Sequence, residues 1–434
     1  MRAAVKIPLL VDEQAAAVLD SQSRIANWLY NKLLEIANDL RTQYRASQDQ
    51  AVGRTLYTER GLRDQIPALK AQHPFLKSVY SSPLKNAALR LSQAIKAHQD
   101  GKHGRRAKAV NWPRFRAWKR SWFSLQYDEP WKGYALCGRT LTLSLGKDAT
   151  GKQLKLTLHL SEALPHWVNH DQIRQCRIAK EGQIYTVIFT IERRLPGGKP
   201  LHHVGAASPN HKNFAYAVGT DGKATETHNP YFLKALDKRS DRLKAKRDRC
   251  KKQAKQVTRA DGSTFWLPSR RWRYLNARLQ DVYRIRREQT KQFLYTVANR
   301  LYCDYDAVGI GDYVPHGGGI NRKMRRSMNN QSLNGRFKHV LASLALRSGK
   351  QSLEWEEGGS TRPCHDCGYV VQNGIPVEMR EWNCPEERCK SHHIRDENAA
   401  RNGLTRTRKR VGVALLGPSR GLLSACLEVQ RART

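Results

Sequence analysis

Two cysteine pairs near the carboxyl end are the residues of this sequence with the most specific chemistry. Two residues separate Cys364 from Cys367, and four separate Cys384 from Cys389. Four thiolates satisfy tetrahedral zinc, and tight turns such as CHDCG are typical of zinc knuckles. The sequence therefore predicts a structural zinc site with these four ligands and no open position for catalysis. The pair His392-His393 follows closely enough to replace a cysteine, and chance clustering is the alternative to a metal site.

An acidic motif, RDENAARN, follows the cysteine pairs at once and contains Asp396. A carboxylate here would suit a metal-dependent nuclease, which needs partner carboxylates from elsewhere in the chain. The simpler alternative is that Asp396 caps the last helix.

The balance of charge limits what the protein binds. The 434 residues include 77 Lys and Arg but only 38 Asp and Glu, which gives a formal net charge of +39. The excess positive charges repel one another in a compact state unless a polyanion neutralises them. We therefore expect a nucleic-acid partner, with an affinity that depends strongly on salt. A basic ribosome-associated or structural protein is the alternative. Membrane binding fits poorly, because the cations are spread along the chain and no apolar run reaches about 18 residues.

Cysteine usage and the first residues predict the compartment. Nine cysteines are an odd number, and five of them are scattered, which suits a reducing cytoplasm better than a disulfide framework. In the first residues, MRAAVKIPLLVDEQAAAVLD, charged side chains interrupt the apolar run too early for a secretory signal. We therefore expect a cytoplasmic protein.

The first half of the chain predicts helices followed by strands. Apolar residues at helical spacing indicate helices over about 20–44 and 80–100, and period-two alternation over 138–193 indicates a small antiparallel barrel or sheet. Between them, aromatic and basic residues are interleaved in NWPRFRAWKRSWFSLQY. Aromatic faces stack on bases and guanidinium groups hold phosphates, so this mixture suits nucleic acid. The alternative is that its aromatic residues belong to the core.

The second half predicts an α/β domain. After RLPGGKP at 194–200 come two strands, a hairpin, two long basic helices over 231–300, a strand ending at Asp312 and a basic Gly-rich loop. A helix, a strand, the cysteine pairs and a last helix complete this order, which favours α/β. The charged faces of the long helices are either solvated or face nucleic acid, and their positive excess favours the second.

This order of elements resembles that of TnpB, the family of RNA-guided nucleases of insertion sequences that is related to type V CRISPR effectors. The resemblance spans nearly the whole chain. The run SQSRIANWLYNKLLE is similar to the first recognition helix of the family, and NWPRFRAWKRSWFSLQY resembles its FPRFK…SF segment. The knuckle together with RDENAARN is specific, whereas the other motifs alone are weak.

The resemblance implies an α+β multidomain fold. A helical recognition domain and a wedge-like β-barrel module would precede a RuvC-like α/β domain with an inserted zinc knuckle. The implied parts are a recognition lobe at 1–193, a linker at 194–200, a RuvC-like domain with the basic helices at 201–363, the knuckle at 364–393, the last RuvC-like helix at 394–410 and a basic tail at 411–434.

In that family three acidic residues of the RuvC-like fold hold two divalent metals, which activate water and stabilise the leaving oxygen. Here Ser208 occupies the position of the first Asp, or Ala207 does if the alignment shifts by one residue. Gly311 occupies the position of the Glu, and Asp396 matches the third acid. Some relatives carry a relocated glutamate, which Glu357 would supply. An engineered Asp-to-Ala change near the first position is a further alternative.

Three functional hypotheses follow from the resemblance and the charge. The preferred one is a nuclease-dead, transposon-derived protein that binds a guide RNA and double-stranded target DNA and represses transcription. The second is an active Mg-dependent endonuclease with a rearranged or mutated site, so whether the chain is an enzyme stays open. The third is a basic zinc-containing structural protein without a guide. Zinc is the expected cofactor, magnesium only for an active nuclease, and a homodimer on the RNA stays open.

The residues expected to contact nucleic acid are basic and aromatic, and they come from the recognition lobe, the long helices and the Gly-rich loop. They are Arg114, Phe115, Arg116, Trp118, Lys119, Arg120, Lys244, Lys246, Arg247, Arg270, Arg271, Arg286, Arg287, Arg322, Lys323, Arg325 and Arg326. Contacts of this kind position phosphates, whereas base pairing with the guide would supply sequence specificity.

Overall fold

The computed structural model describes residues 1–434 except 107, 118–121, 149, 211–212, 231, 259–261, 263, 314–332, 377 and 417–434. The chain divides into two compact units, residues 1–194 and 195–434. Within the described ranges, no helix combines the length and the apolar character that crossing a membrane requires.

A long helix organises the helical part of the first unit. Helix α1 (Glu13–Ser47) begins where the side chain of Asp12 accepts a hydrogen bond from the Ala15 amide at 2.7 Å, which is a standard N-cap. Leu29 and Leu33 lie one turn apart on its buried face and pack in a core shared with α5. The other helices are α2 (Gln50–Tyr57), α3 (Glu59–Arg63), α4 (Ile66–Gln72) and α5 (Ser81–Lys102).

Seven antiparallel strands of the first unit form one sheet, in the order β2-β6-β7-β1-β5-β4-β3. Strand β1 pairs with β7 over residues 2–8 and with β5 only at Leu9 and Leu10. Val5 and Ile7 of β1 alternate with exposed residues and enter the core. The strands are β1 (Arg2–Leu10), β2 (Trp122–Tyr127), β3 (Tyr134–Cys137), β4 (Thr140–Lys147), β5 (Gln153–Leu160), β6 (Ile173–Glu181) and β7 (Ile184–Glu192).

The expected β-barrel is wrong, because this sheet is open. Closure would require β2 to pair with β3, and these two edge strands are unpaired with each other in the part of the chain that the structure describes. The free edge of β3 is already occupied by its own loop: Tyr134 bridges Pro130, and the Tyr134 carbonyl accepts from the Trp131 amide at 2.7 Å. Period-two alternation predicts strands and their faces, but it carries no information about closure.

The second unit contains a mixed five-stranded sheet in the order β10-β9-β8-β13-β14. The three strands β8, β13 and β14 are parallel, whereas β9 and β10 are antiparallel to their neighbours. The strands are β8 (Val204–Pro209), β9 (Ala215–Gly219), β10 (Ala224–Thr227), β13 (Ala307–Gly311) and β14 (Gln351–Trp355). The α+β multidomain architecture is therefore confirmed.

Helices cover both faces of this sheet. On one face, Phe337 and Leu294 pack against Val308 of β13. On the other face, a Cβ on Gly309 would overlap Thr407, so the absence of a side chain lets the last helix lie directly on the sheet. The helices are α6 (Phe232–Arg249), α7 (Arg270–Asp304), α8 (Asn334–Ser348) and α9 (Arg395–Leu416).

Two short antiparallel ribbons extend from the second unit. The first, between α6 and α7, pairs β11 (Lys255–Thr258) with β12 (Thr264–Leu267). The second lies in the knuckle and pairs β15 (Glu381–Asn383) with β16 (His392–Ile394).

Candidate metal centres and nucleic-acid interface

The four cysteines of the knuckle come together in space. The Sγ atoms of Cys364 and Cys389 are 3.8 Å apart, and those of Cys367 and Cys384 are 3.6 Å apart. All four sulfurs lie within 4.8 Å of one another. A tetrahedral ion with bonds of about 2.3 Å places its sulfur ligands about 3.8 Å apart. The donor set therefore has the size and geometry of a zinc site.

Local backbone turns bring each cysteine pair to this position. The Gly368 amide donates to the Cys364 carbonyl at 2.9 Å, and Gly368 adopts φ +80°, which favours glycine. In the longer pair, the Cys389 amide donates to Glu386 at 2.9 Å, and Lys390 adopts φ 49°. Lys390, in this left-handed conformation, completes a wider turn. A gap of four residues therefore brings the sulfurs of Cys384 and Cys389 to the site as well as a gap of two would.

The histidines beside the knuckle differ in their relation to the sulfurs. His393 is only 2% exposed, and its Nε2 lies 3.0 Å from Cys364 Sγ. His392 instead faces Asn383, with 3.0 Å between His392 Nδ1 and Asn383 Oδ1. His393 is therefore the histidine placed to substitute for a cysteine ligand.

Burial and hydrogen bonding shift the pKa values of two knuckle thiols in opposite directions. Burial raises the pKa of Cys384 to about 12, whereas hydrogen bonding to Ser391 lowers that of Cys389 to about 7. A bound cation would have to displace the proton of Cys384, and its charge would supply the driving force.

A half-buried carboxyl group lies at the carboxyl end of the parallel strands. Ser208, at the end of β8, donates its hydroxyl to Glu357 Oε1 at 3.0 Å. The Glu357 amide donates to Asp312 Oδ1 at 2.9 Å. A Cβ on Gly311 would overlap Glu357 Oε2, so the Glu357 carboxylate fills the space that a side chain at 311 would take. The structure thus brings together three of the sequence-predicted positions, and Ser208 rather than Ala207 faces the carboxylate.

The pKa of this carboxyl group is raised into the neutral range. Burial raises the pKa of Glu357 to about 7, with a further rise from Asp312, while hydrogen bonds from Ser208 and Tyr313 oppose the shift. Glu357 Oε2 is buried and has no hydrogen-bond partner among the described residues. An orphaned carboxylate oxygen of this kind can accept either a proton or a cation.

The side chain of Asp396 forms an ion pair with an arginine and does not contact Glu357. Its Oδ2 pairs with Arg380 Nη1 at 3.0 Å, and it lies in the first turn of α9, not at the N-cap. The helix-capping alternative is therefore wrong in detail, although an acid in the first turn still favours the helix. Among the residues that the structure describes, no three carboxylates converge within ligand distance of one ion. The geometry does not fit a two-metal carboxylate centre.

Gly311→Ala should destabilise the protein by about 1–3 kcal/mol, because the new Cβ collides with the Glu357 carboxylate in a packed interior. In a Glu357→Ala background the same change should cost less than half as much, since the colliding group is gone. Denaturant unfolding of the four chains measures both effects. Gly335→Ala, in open space on α8, is the matched control and should be neutral or slightly stabilising. An equal cost in both backgrounds would contradict this steric interpretation.

The predicted contact residues of the first unit have divided roles. Arg114 and Phe115 are exposed, with Phe115 at 57%. Arg116 instead packs over the Tyr30 ring at 3.4 Å, and Asn31 holds its backbone with hydrogen bonds of 2.8 and 2.9 Å. The segment is thus partly a packing corner. Three predicted residues lie outside the described part of the chain: Trp118, Lys119 and Arg120.

The predicted cations of the second unit also differ in their contacts. Lys244, Lys246, Arg270 and Arg271 are exposed on α6 and α7. Arg286 pairs with Asp237 at 3.2 Å, and Arg287 contacts Glu288 at 3.8 Å. Arg247 is held by Asp248 at 2.7 Å. The positions in the Gly-rich loop lie outside the described residues: Arg322, Lys323, Arg325 and Arg326.

A cationic cavity in the first unit was missed by sequence reasoning. It has a volume of about 150 Å³ and is lined by Arg24, Arg90, Arg116 and Asn86 among others. Burial lowers the pKa of Arg90 to about 10, and the charges of Arg177 and Arg116 lower it further. Such crowding of cations favours an anionic ligand. The spacing of Asn86 and Arg90, one turn apart on α5, was the available signal.

Comparisons with known proteins find a partial family match and solved structures with a similar fold. Residues 335–403 match the family described as Cas12f1-like, TNB domain. No curated protein matches the chain. The protein in a Cas12f1-sgRNA-target DNA complex is 11% identical, with a TM-score of 0.55 over 90% of this chain and 82% of that chain. The protein in an AacC2c1-sgRNA binary complex is 10% identical, with a TM-score of 0.38 over 91% of this chain and 70% of that chain.

The chain has an α+β fold similar to that of the protein in the Cas12f1-sgRNA-target DNA complex, and it carries a cluster of four cysteines that could hold a metal ion. The partial family match and the similar fold support the resemblance to TnpB and the type V CRISPR effectors that the motifs predicted.

Proposed function

We propose that the chain binds a guide RNA and a complementary double-stranded DNA target, does not cut that target, and represses transcription by occupying it. The observation that carries the proposal is the acid site, where Ser208 faces a single carboxylate, Glu357. The fold is that of a protein solved with a guide RNA and target DNA. The net charge of +39 supports a polyanionic partner.

The loss of cleavage follows from the chemistry of two-metal sites. Carboxylates from separate elements must bridge and neutralise two divalent ions that activate water and stabilise the leaving oxygen. Ser208 offers a neutral hydroxyl, burial raises the pKa of Glu357 to about 7 so that this carboxyl group is only partly ionised at neutral pH, and Asp396 is paired with Arg380. None of these states favours holding two cations.

Zinc in the knuckle would have a structural role. Cys364, Cys367, Cys384 and Cys389 would fill all four positions of the ion. The ion would join the short β15–β16 ribbon to the turn before it, next to the start of α9.

An active endonuclease is the second candidate, and one observation favours it. Glu357 places its carboxylate in the space beside Gly311, where the family's second acid would lie. The position of Glu357 therefore fits that of a relocated acid. The site lacks a pair of carboxylates because residue 208 is a serine.

Guided binding without cleavage is the expected result for the full chain purified with co-expressed RNA. The sequence of the bound RNA defines a matched DNA duplex, which should bind in a mobility-shift assay far better than a scrambled duplex of equal length. The matched duplex should stay intact with Mg²⁺ or Mn²⁺ in the same samples, because the site lacks the bridging carboxylates.

Cleavage of the matched duplex by the unchanged chain, together with loss of this cleavage in Asp396→Ala, would contradict the nuclease-dead proposal and support the second candidate. Purification of the chain without any RNA, together with equal affinity for both duplexes, would leave only a basic structural protein.

A further inference from the structure

A groove lies at the ribbon end of the α6–α7 hairpin, away from the acid site and the knuckle in sequence. It has a volume of about 630 Å³ and is lined by residues of the end of α6, the β11–β12 ribbon and the start of α7. Neither the acid site nor the knuckle uses any of its residues.

Two tryptophans give the groove its apolar character. Trp266, on β12, is 65% exposed, so its ring face is accessible to a ligand in the groove. Trp272 lines the same groove from the first turn of α7, where Ser269 Oγ accepts from its amide at 3.2 Å. Both indoles belong to elements with regular backbone hydrogen bonding, so they form a prepared surface for a flat ring.

Cations surround this aromatic surface. Lys251 and Lys252 are exposed in the lining, and Asp248 is its single acid among the residues that the structure describes. Asp248 accepts from Arg247 at 2.7 and 2.9 Å, and Asn276 accepts at 3.2 Å, which holds the guanidinium 5.7 Å from the Trp272 ring. Flat apolar surface beside exposed ammonium groups complements a nucleobase attached to a phosphate, and it does not complement an apolar protein segment.

We infer that this groove binds unpaired nucleotides of RNA, with a base stacked on Trp266 and the adjoining phosphates at Lys251 and Lys252. The inference rests on the proposed function, since it assigns a contact to the RNA that the chain carries. Stacking on an indole is tolerant of sequence, so the groove would position a single-stranded segment without selecting its bases.

The test uses the full chain and a 20-nucleotide oligo(U) that contains 5-iodouridine. After ultraviolet irradiation, the peptide that carries Trp266 should be cross-linked. Trp266→Ala should abolish this cross-link and weaken oligo(U) binding about fivefold or more at salt that suppresses phosphate contacts, whereas Trp266→Phe should stay within about threefold. Trp131→Ala, at a tryptophan 75% exposed in the other unit, is the matched control and should change neither result.

Cys250 supplies a second, local measurement, because this free thiol lines the groove. Oligo(U) should slow its alkylation while the exposed Cys303 on α7 reacts as before. Absence of both the cross-link and the protection overturns the inference, and the proposed function stands if the guided duplex still binds. Protection of Cys250 that grows with protein concentration and needs no oligo(U) would assign the groove to a second copy of the chain and also overturn it.

Discussion

Cys384→Ser should eliminate zinc from the purified chain, whereas the unchanged chain should carry one zinc per molecule. The apolar cluster of the knuckle consists of little more than Trp382 and the buried cysteines, with Val371 and Ile375 partly covering it. So small a core cannot offset the conformational entropy of the surrounding loops, and a structural zinc contributes on the order of 10 kcal/mol to such folding. Residues 364–394 should therefore lose their amide protection, by about a hundredfold or more in hydrogen exchange.

Cys303→Ser is the control for this experiment, since Cys303 is an exposed free cysteine outside the knuckle. It should keep full zinc content and full protection. His393→Asn separates the two ligand sets, because a site of four cysteines keeps its zinc without the histidine. Retention of stoichiometric zinc by Cys384→Ser, with unchanged exchange, would show that the four sulfurs are not the ligands.

Ser208→Asp should convert the acid site into a cation site. The Ser208 hydroxyl lies 3.0 Å from Glu357 Oε1, so an aspartate there places two carboxylates in contact within the interior. Two such groups cannot both ionise without a counter-ion, and one pKa rises strongly. With EDTA at pH 8, we expect a loss of about 2–3 kcal/mol, measured by thermal unfolding. Mg²⁺ or Mn²⁺ should restore the midpoint in this variant and leave the unchanged chain unaffected.

The loss should shrink toward pH 5, where the pair shares a proton and the repulsion disappears. Ser208→Asn, of the same size but neutral, should show neither the pH-dependent loss nor the recovery with metal. The double change Ser208→Asp with Glu357→Gln should also lack both. Metal-independent behaviour of Ser208→Asp would mean that the site cannot hold a cation. Guided cleavage by this variant would show that Asp396 can leave Arg380 and join the pair.

The knuckle and the order of elements were predictable from the sequence because their signals are local. The ligands Cys364, Cys367, Cys384 and Cys389 lie within one short stretch, and tight turns alone bring each pair together. Helix α1 follows in the same way from its 3.6-residue periodicity. The family resemblance rests on these same local motifs, and it implies a common site for Ser208, Gly311 and Glu357, which lie next to one another in the structure.

Only the tertiary structure decided how these positions meet. Ser208 and Glu357 are 149 residues apart, and the parallel register of β8, β13 and β14 brings their side chains together. Packing, not spacing, keeps Asp396 on Arg380 and away from Glu357. The same holds for the open edge of the first sheet and for the arginines of the cationic cavity. Strand pairing and helix packing depend on the whole chain, so no local pattern specifies which distant side chains share a site.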